Sequence, residues 1–287
     1  MTKDCTIGIL KLGAIGAAPL IDLLFDERAE RKDIAIRTVT TGASLDEEAC
    51  QEAATRLAEM TPDLVILVSP NAALPGPKGA RTYLLDEEFK VLSISDMPSK
   101  NAFYSKDESG KKVPSVPETS GFIILPMDPM IGARKEFLDP TEMTIFNADL
   151  IKLLSCTGVM RFLQYELEKL VDSIKTKSDI DMPTLILTPE LALEAAGFAN
   201  PYAHAKAYAA LKMAEAVADI TTTACFMRKD PDEYVPMVAA AHELLGTAAE
   251  LAAYAREMEK AGNSVLRTPH SSSGKNLRKT ELFEKPD

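Results

Sequence analysis

The sequence predicts an α/β fold: a mostly parallel sheet with helices on both faces, followed by a helical bundle segment and a small C-terminal β arm. Three observations predict it. Through the first half, short and continuously apolar runs alternate with helical patterns, which is how parallel strands buried on both faces read. The first run is joined to the first helix by a glycine-bearing turn, Lys11-Leu12-Gly13-Ala14-Ile15-Gly16, where Rossmann-like folds place a phosphate loop. After Asp139 the strand patterns stop, and leucine- and alanine-rich helical stripes take over. The chain therefore reads as a Rossmann-like α/β domain at 1–138, a helical segment at 139–263 and an arm at 264–287.

Taken in order, strands are expected at 6–10, 34–39, 63–68, 91–95 and 121–125, with helices near 17–28, 45–60 and 78–88. Between Asp96 and Gly121 the alternation fails. That stretch is rich in Pro, Ser, Lys and Glu, too polar for a packed helix, and is expected as a long loop, an excursion or a lid. Asp139-Pro140-Thr141-Glu142 combines an N-cap acid, proline at the first helical position and glutamate at the third, which starts a helix. Apolar residues then recur at Met143, Phe146, Leu150, Leu153, Met160, Leu163, Leu167, Leu170 and Ile174. This predicts one helix of about 50 Å, bent near Ser155 to Gly158.

Asn200-Pro201 and Asp230-Pro231-Asp232-Glu233 open two further helices. Both carry alanine faces, which let helices approach closely and fit either an intrachain bundle or helices exchanged between subunits. The tail from Ser264 to Lys279 has a short β-like run and then Ser-Gly turn chemistry, a small hairpin or arm.

The 287 residues are 46% hydrophobic, ample for a large core. No window approaches the roughly 18 apolar residues of a membrane span, and the chain enters a strand immediately after Lys3 and Asp4, with no signal-peptide pattern. A cytoplasmic protein without a membrane partner is expected. The net charge of −11, from 43 acidic and 32 basic residues, disfavours nucleic acid, which needs a cationic face. Cys5, Cys50, Cys156 and Cys225 are far apart, and His204, His242 and His270 show no ligand spacing, so neither a disulfide framework nor a metal site is expected.

In open parallel sheets ligands bind outside the carboxyl ends of the strands, so the strand-tip loops carry the functional reading. The first turn lacks the leading glycine of a dinucleotide fingerprint, where Lys11 stands, and the second strand ends in Thr40-Thr41-Gly42 with no carboxylate to hold an adenosine ribose. The ligand is thus not expected to be NAD. After the third strand, Ser69-Pro70-Asn71-Ala72-Ala73-Leu74-Pro75-Gly76-Pro77-Lys78-Gly79-Ala80-Arg81 reads as a proline-stiffened loop that brings Lys78 and Arg81 to a helix N-terminus, suited to an anion or the edge of a flat ring. Asp96-Met97-Pro98 places a carboxylate at the fourth strand tip, and Met127-Asp128-Pro129-Met130-Ile131-Gly132-Ala133-Arg134 places another after the fifth. No nucleophile–base constellation and no Walker-type lysine appears. A chemistry that depends on positioning, such as hydride transfer between two bound rings, fits this set best.

Four segments together, Lys11 to Gly16, Pro70-Asn71-Ala72-Ala73-Leu74-Pro75-Gly76-Pro77, Gly132-Ala133-Arg134-Lys135-Glu136-Phe137-Leu138-Asp139-Pro140 and Val265-Leu266-Arg267-Thr268-Pro269-His270, make a specific pattern. It resembles the coenzyme F420-dependent methylenetetrahydromethanopterin dehydrogenases of methanogenic and related archaea, from the first strand to the C-terminal arm. The resemblance implies reversible hydride transfer, in methanogenesis, between the deazaflavin of F420, a dissociable cosubstrate with a phosphate and glutamate tail and no adenosine, and the one-carbon bridge of the tetrahydromethanopterin derivative. It implies no metal, and a homohexamer built from dimers. The stretch from Ser99 to Ser120 is longer and more polar than the resemblance leads one to expect.

On that basis, residue roles follow from position. The methenyl substrate carries a delocalised cation that becomes neutral when hydride arrives, so the site must hold two rings face to face and accommodate that cation. Asp96 and Asp128 are the catalytic candidates for this field. Lys11, Gly13, Ile15, Gly16, Pro70, Asn71, Pro75, Gly76, Lys78 and Arg81 are candidates for the cofactor, and Pro98, Gly132 and Arg134 for the substrate. Two other readings stay open: an NADP-dependent dehydrogenase of a folate-like carrier, with Arg37 as a phosphate partner, and a non-enzymatic oligomeric binding module.

Overall fold

The computed structural model describes residues 4–27, 29 and 31–287. Its chain forms two compact units: Met1–Leu125 with Glu166–Ile186 and His270–Lys275, and Pro126–Tyr165 with Leu187–Pro269 and Asn276–Asp287.

The first unit is built on a six-stranded sheet, and every strand pair in it is parallel. Its strands are β1 (Cys5–Lys11), β2 (Ile34–Thr40), β3 (Leu64–Ser69), β4 (Val91–Ser95), β7 (Ser120–Ile124) and β8 (Thr184–Ile186) in the spatial order β2-β1-β3-β4-β7-β8. The central strands β3, β4 and β7 are buried at every residue, as expected of mostly apolar strands in a parallel sheet covered on both faces. Between the strands run α1 (Ala17–Asp26), α2 (Glu47–Ala58) and α3 (Pro75–Asp86). Leu10, Leu57, Leu67 and Leu84 join strand and helix faces in one core cluster.

The strand order fixes where a ligand can sit. After β1 the chain goes to one side for β2 and returns to the other for β3. The loops leaving β1 and β3 therefore diverge and open a crevice at their carboxyl ends.

Several expectations are corrected here. Of the loop, excursion or lid expected after β4, the structure shows an excursion with secondary structure of its own: a single 3₁₀ turn, Met97–Ser99, leads into α4 (Lys100–Phe103) and a two-stranded antiparallel hairpin, β5 (Tyr104–Lys106) and β6 (Lys112–Pro114). Helix α3 starts at Pro75 and not near 78, so Pro75 and Pro77 lie in its first turn, where a missing N–H costs nothing. The strand β8 was not anticipated, because three residues, Thr184 exposed and Leu185 and Ile186 half-buried, carry too short a pattern.

The predicted single long helix is two: α5 (Pro140–Cys156), in the second unit, and α6 (Val159–Thr176), whose residues from Glu166 on belong to the first unit. The break falls at Gly158, whose φ of +95° and whose virtual Cβ 2.0 Å from the Ala192 carbonyl oxygen exclude any side chain. Two expected helices, α8 (Pro201–Thr222) and α9 (Pro231–Ala261), are present, and a short α7 (Pro189–Ala196) precedes them. The capping logic holds: Asp139 accepts from Glu142 N at 2.8 Å, Asn200 from Tyr202 N at 2.9 Å and Asp230 from Asp232 N at 3.0 Å. Ala203, Ala207, Ala210 and Ala214 of α8 and Ala241, Ala248, Ala249 and Ala252 of α9 are completely buried. Helices α5, α8 and α9 pack on one another within the chain, so the intrachain bundle forms. The tail makes one antiparallel bridge, Arg267 to Lys279, and a turn at Ser271 to Gly274.

Candidate active site

The crevice in the first unit is made by three strand-tip loops that lock together. Gly13 sits in the left-handed region at φ +80°, and a Cβ there would lie 2.8 Å from Leu45 Cδ2 and 3.2 Å from Pro70 Cδ. Only glycine permits this approach of the loops after β1, β2 and β3. The Gly13 amide donates to Thr41 Oγ1 at 3.3 Å, and that hydroxyl donates to the Ser44 carbonyl at 2.6 Å. The Leu12 amide donates to the Val68 carbonyl at 2.9 Å. Thr41 therefore holds the phosphate-type turn in place, a role visible in the sequence only as a strand tip without a carboxylate.

Lys11, the last residue of β1, is committed to Asp22 of α1 at 2.7 Å. Ile15 is buried, and Gly16 is the N-cap residue of α1. The turn reaches this helix start without a side-chain cap.

The loop after β3 is held by polar contacts as much as by proline. Asn71 Oδ1 accepts from Ala73 N at 3.0 Å, closing an Asx turn. Ser99 Oγ accepts from Ala72 N at 2.8 Å, and Arg81 Nη1 donates to the Ala72 carbonyl at 3.0 Å. Arg81 is buried, its guanidinium lies 4.9 Å from the Phe103 ring centroid, and burial holds its pKa below the usual arginine value. It braces the loop from a buried position, and among the described residues no carboxylate forms an ion pair with it. Gly76 is likewise used internally, for a Cβ there would meet the Leu45 carbonyl oxygen at 2.3 Å and Asp46 O at 2.9 Å, where the starts of α2 and α3 meet. Of the cations predicted for this crevice, Lys78 is the one left exposed, and among the described residues it makes no ion pair.

At the tip of β4, Asp96 is buried at 2% exposure, and its Oδ1 accepts from Met97 N at 2.5 Å, capping the 3₁₀ turn. Pro98 is exposed beside it. Ser69 and Ser95 pair in register at the ends of β3 and β4, and both are completely buried. The Ser93, Ser95 and Ser120 hydroxyls find no hydrogen-bond partner among the described residues. Orphan hydroxyls are costly in a core; of the three, Ser95 lies at the carboxyl end of its strand and is a site candidate that sequence reasoning missed, whereas Ser120 opens β7 at the opposite end. The signal was there, in polar residues placed inside otherwise apolar strands.

In the second unit, Asp128 is completely buried after Met127. Gly132 is buried against α9, where a Cβ would meet Val238 Cγ1 at 2.7 Å. Arg134 donates through Nη2 to the carbonyls of Ala224 and Arg228, at 2.8 and 2.9 Å, and its guanidinium lies 4.2 Å from the Tyr234 ring centroid. Gly132 and Arg134 thus anchor the 126–139 segment to the π turn at Thr223–Met227 and to α9. No group of three or more His, Cys, Asp or Glu side chains among the described residues is placed to hold a metal ion.

With this geometry in place, the comparisons with known proteins are specific. The model of a family described as methylene-5,6,7,8-tetrahydromethanopterin dehydrogenase matches residues 5–287. The chain is 50% identical over 281 residues to the F420-dependent methylenetetrahydromethanopterin dehydrogenase of Archaeoglobus fulgidus, covering 98% of both chains. It is 44% identical over 282 residues to the enzyme of the same description from Methanocaldococcus jannaschii, covering 98% of this chain and 99% of that one. A solved structure of F420-dependent methylene-tetrahydromethanopterin dehydrogenase in complex with methylene-tetrahydromethanopterin and coenzyme F420 matches with a TM-score of 0.91 and 41% identity over 100% of each chain.

Proposed function

The chain belongs to the methylenetetrahydromethanopterin dehydrogenase family, and from that premise we propose that it catalyses reversible hydride transfer between methylenetetrahydromethanopterin and coenzyme F420. The observation that carries the reading is the match of family and fold over the whole chain, at 41% identity to a structure holding both reactants. The residues fit a cosubstrate without adenosine. The β2 tip offers hydroxyls in place of a ribose-binding carboxylate, and Thr41 is spent on the Gly13 turn. Arg37, the phosphate partner an NADP enzyme would need, donates to the carbonyl of its own neighbour Ile36. F420 supplies the hydride acceptor when bound; the protein supplies positioning and field.

In this reading the Gly13 turn and the 69–74 loop cradle the deazaflavin side, and Lys78 offers the exposed cation there. Asp96 and Asp128 supply the negative field that accommodates the cationic methenyl form. The locked contacts of Lys11, Arg81 and Arg134 support a bracing role for these three, with the cradle shape as their contribution. Two finer points belong to the same reading. The protein is a homo-oligomer, a hexamer built from dimers, supported by apolar side chains that the second unit leaves exposed, such as Ile145 at 52% and Phe226 at 72%. It is cytoplasmic, in keeping with four free cysteines. Among the described residues no single helix is long and apolar enough to cross a membrane.

The test is anaerobic mixing of the protein with methylenetetrahydromethanopterin and oxidised F420, following loss of the deazaflavin absorbance, with NADP in a parallel cell. Bleaching with F420 alone is expected, and activity with NADP alone overturns the cofactor assignment. Asp128→Asn is expected to slow turnover tenfold or more, roughly the effect of removing one electrostatic contact made in the transition state, while the melting profile stays close to that of the parent. Undiminished turnover removes Asp128 from the mechanism.

A further inference from the structure

The hairpin of β5 and β6 leaves the carboxyl end of β4, the same edge of the sheet as the Gly13 turn and the 69–74 loop. Its base is tied to that edge: Ser99 Oγ accepts from Ala72 N, Arg81 stacks on Phe103, and Phe103 stacks on Phe122 of β7 with ring centroids 4.6 Å apart. The hairpin carries an unusual charge pattern for a protein of net charge −11. Lys106 and Lys112 are direct cross-strand partners, and both are exposed. Like charges placed opposite each other on one face of a hairpin repel and destabilise it. Lys100 adds a third cation to that face, 5.5 Å from the ring centroid of Tyr104, two residues before Lys106 on β5.

The nearby acids do not neutralise this face. Asp107 is committed to the turn, accepting from Ser109 N and Lys111 N at 2.9 Å each, and its carboxyl is held below the usual range by the Ser109 hydroxyl and these amides. Glu108 is exposed at the turn tip. Lys112 finds only the neutral Asn101 Oδ1, at 3.2 Å. Among the described residues neither Lys100, Lys106 nor Lys112 makes an ion pair.

We propose that the Lys100–Lys106–Lys112 face of this hairpin is an anion subsite that holds an extended chain of carboxylates or phosphates, the side chain of one of the two reactants, beside the ring site. The proposal rests on the function proposed above. It accounts for a strained like-charge pair that the fold itself does not need, because a bound polyanion between the two lysines turns their repulsion into attraction. A cationic face at the mouth of an acidic protein also concentrates an anionic reactant there, more strongly at low salt.

The experiment compares the parent with the double variant Lys106→Gln/Lys112→Gln. It measures KM and kcat for F420 with short and long glutamate tails, and for the pterin, at several salt concentrations. Calorimetric titration of the parent with an oligo-γ-glutamate peptide runs alongside and needs no turnover. The expected result is a KM for one reactant raised about fivefold at low salt, the value two exposed charge contacts supply, with kcat unchanged and the salt dependence flattened. If F420 is that reactant, the effect grows with tail length; if the pterin is, its KM alone moves. Melting of the variant is expected at or above the parent, since a repulsive pair is removed; a lower melting temperature with unchanged KM for both reactants overturns the proposal. A parent that binds the peptide but fails to turn over F420 refutes the proposed function and leaves the subsite standing.

Discussion

At Gly13 the backbone takes φ +80° while Leu45 and Pro70 close to within 3.2 Å of where a Cβ would be. Gly13→Ala meets both constraints at once. A left-handed non-glycine residue costs about 1–2 kcal/mol, and overpacking against Leu45 adds about 1–3 kcal/mol. The expected loss is about 2–5 kcal/mol, read as a melting temperature lowered by roughly 5–20 °C, together with a raised KM for F420, since the turn can relieve the clash only by shifting. A variant that melts like the parent removes the strain argument. The contrast with Gly76 is instructive. Both glycines lie in segments with a family-like pattern, but at Gly76 the missing side chain makes room for the carbonyls of Leu45 and Asp46. A sequence marks that a glycine is needed without marking which neighbour needs the space.

At the scale of elements, the strands and capped helices were legible because their signals are local. Largely apolar runs gave β1, β3, β4 and β7, and Asp139, Asn200 and Asp230 each cap the helix they were expected to cap. The illegible parts depend on distant partners. The place of the bend at Gly158 was legible, but not that the helix ends there, with the distant Ala192 carbonyl in the Cβ position of Gly158, and Arg81 and Arg134 look like ligand-binding cations until their carbonyl partners are known.

His270 is the clearest such case. Its Nδ1 lies 2.5 Å from Glu27 Oε2 and its Nε2 2.8 Å from Glu168 Oε1, and Arg31 links Glu168 to Asp33, which Lys175 also reaches. The segment His270–Lys275 is docked to α6 and to the end of α1 by this network. Burial pushes the His270 pKa down, but the bonds to Glu168 and Glu27 outweigh it, so the imidazole titrates above its ordinary value. A raised folded pKa means stability that is complete below about pH 6.5, the unfolded value, and is lost as pH climbs through the folded one. Glu168 works in the opposite sense. Burial raises its pKa, but His270 and Arg31 together lower it by more, so its contribution is present above the ordinary glutamate value and lost in acid. Denaturant melts from pH 6 to pH 9 are expected to show falling stability in the parent. His270→Gln is expected to flatten that slope and to cost about 3–5 kcal/mol at pH 6, the usual loss when one partner leaves a buried ion network. An equal slope in both proteins places the pH dependence elsewhere.

For the molecule as a whole, the balance of charge and apolar surface bears on assembly. A net charge of −11 keeps like chains apart, so association needs a local apolar contact strong enough to offset it. The second unit leaves large apolar side chains uncovered. Helix α5 buries Phe146, Leu150 and Leu153 and yet exposes Ile145; the start of α8 leaves Tyr202 at 74%, and the π turn after its far end leaves Phe226 and Met227 above 70%. A helix apolar on more than its core-facing side has a second surface to cover. Six chains of 31.2 kDa make a particle of about 190 kDa, which light scattering after size exclusion measures directly. Phe226→Glu paired with Ile145→Glu is expected to shift that mass downward while the far-ultraviolet dichroism stays unchanged, because neither side chain contributes to the buried core. Added salt is expected to oppose the shift by screening the introduced charge over about 8–10 Å. A variant that keeps the parental mass at low salt locates the subunit contact on another face, and a parent that runs as a single chain refutes the hexamer.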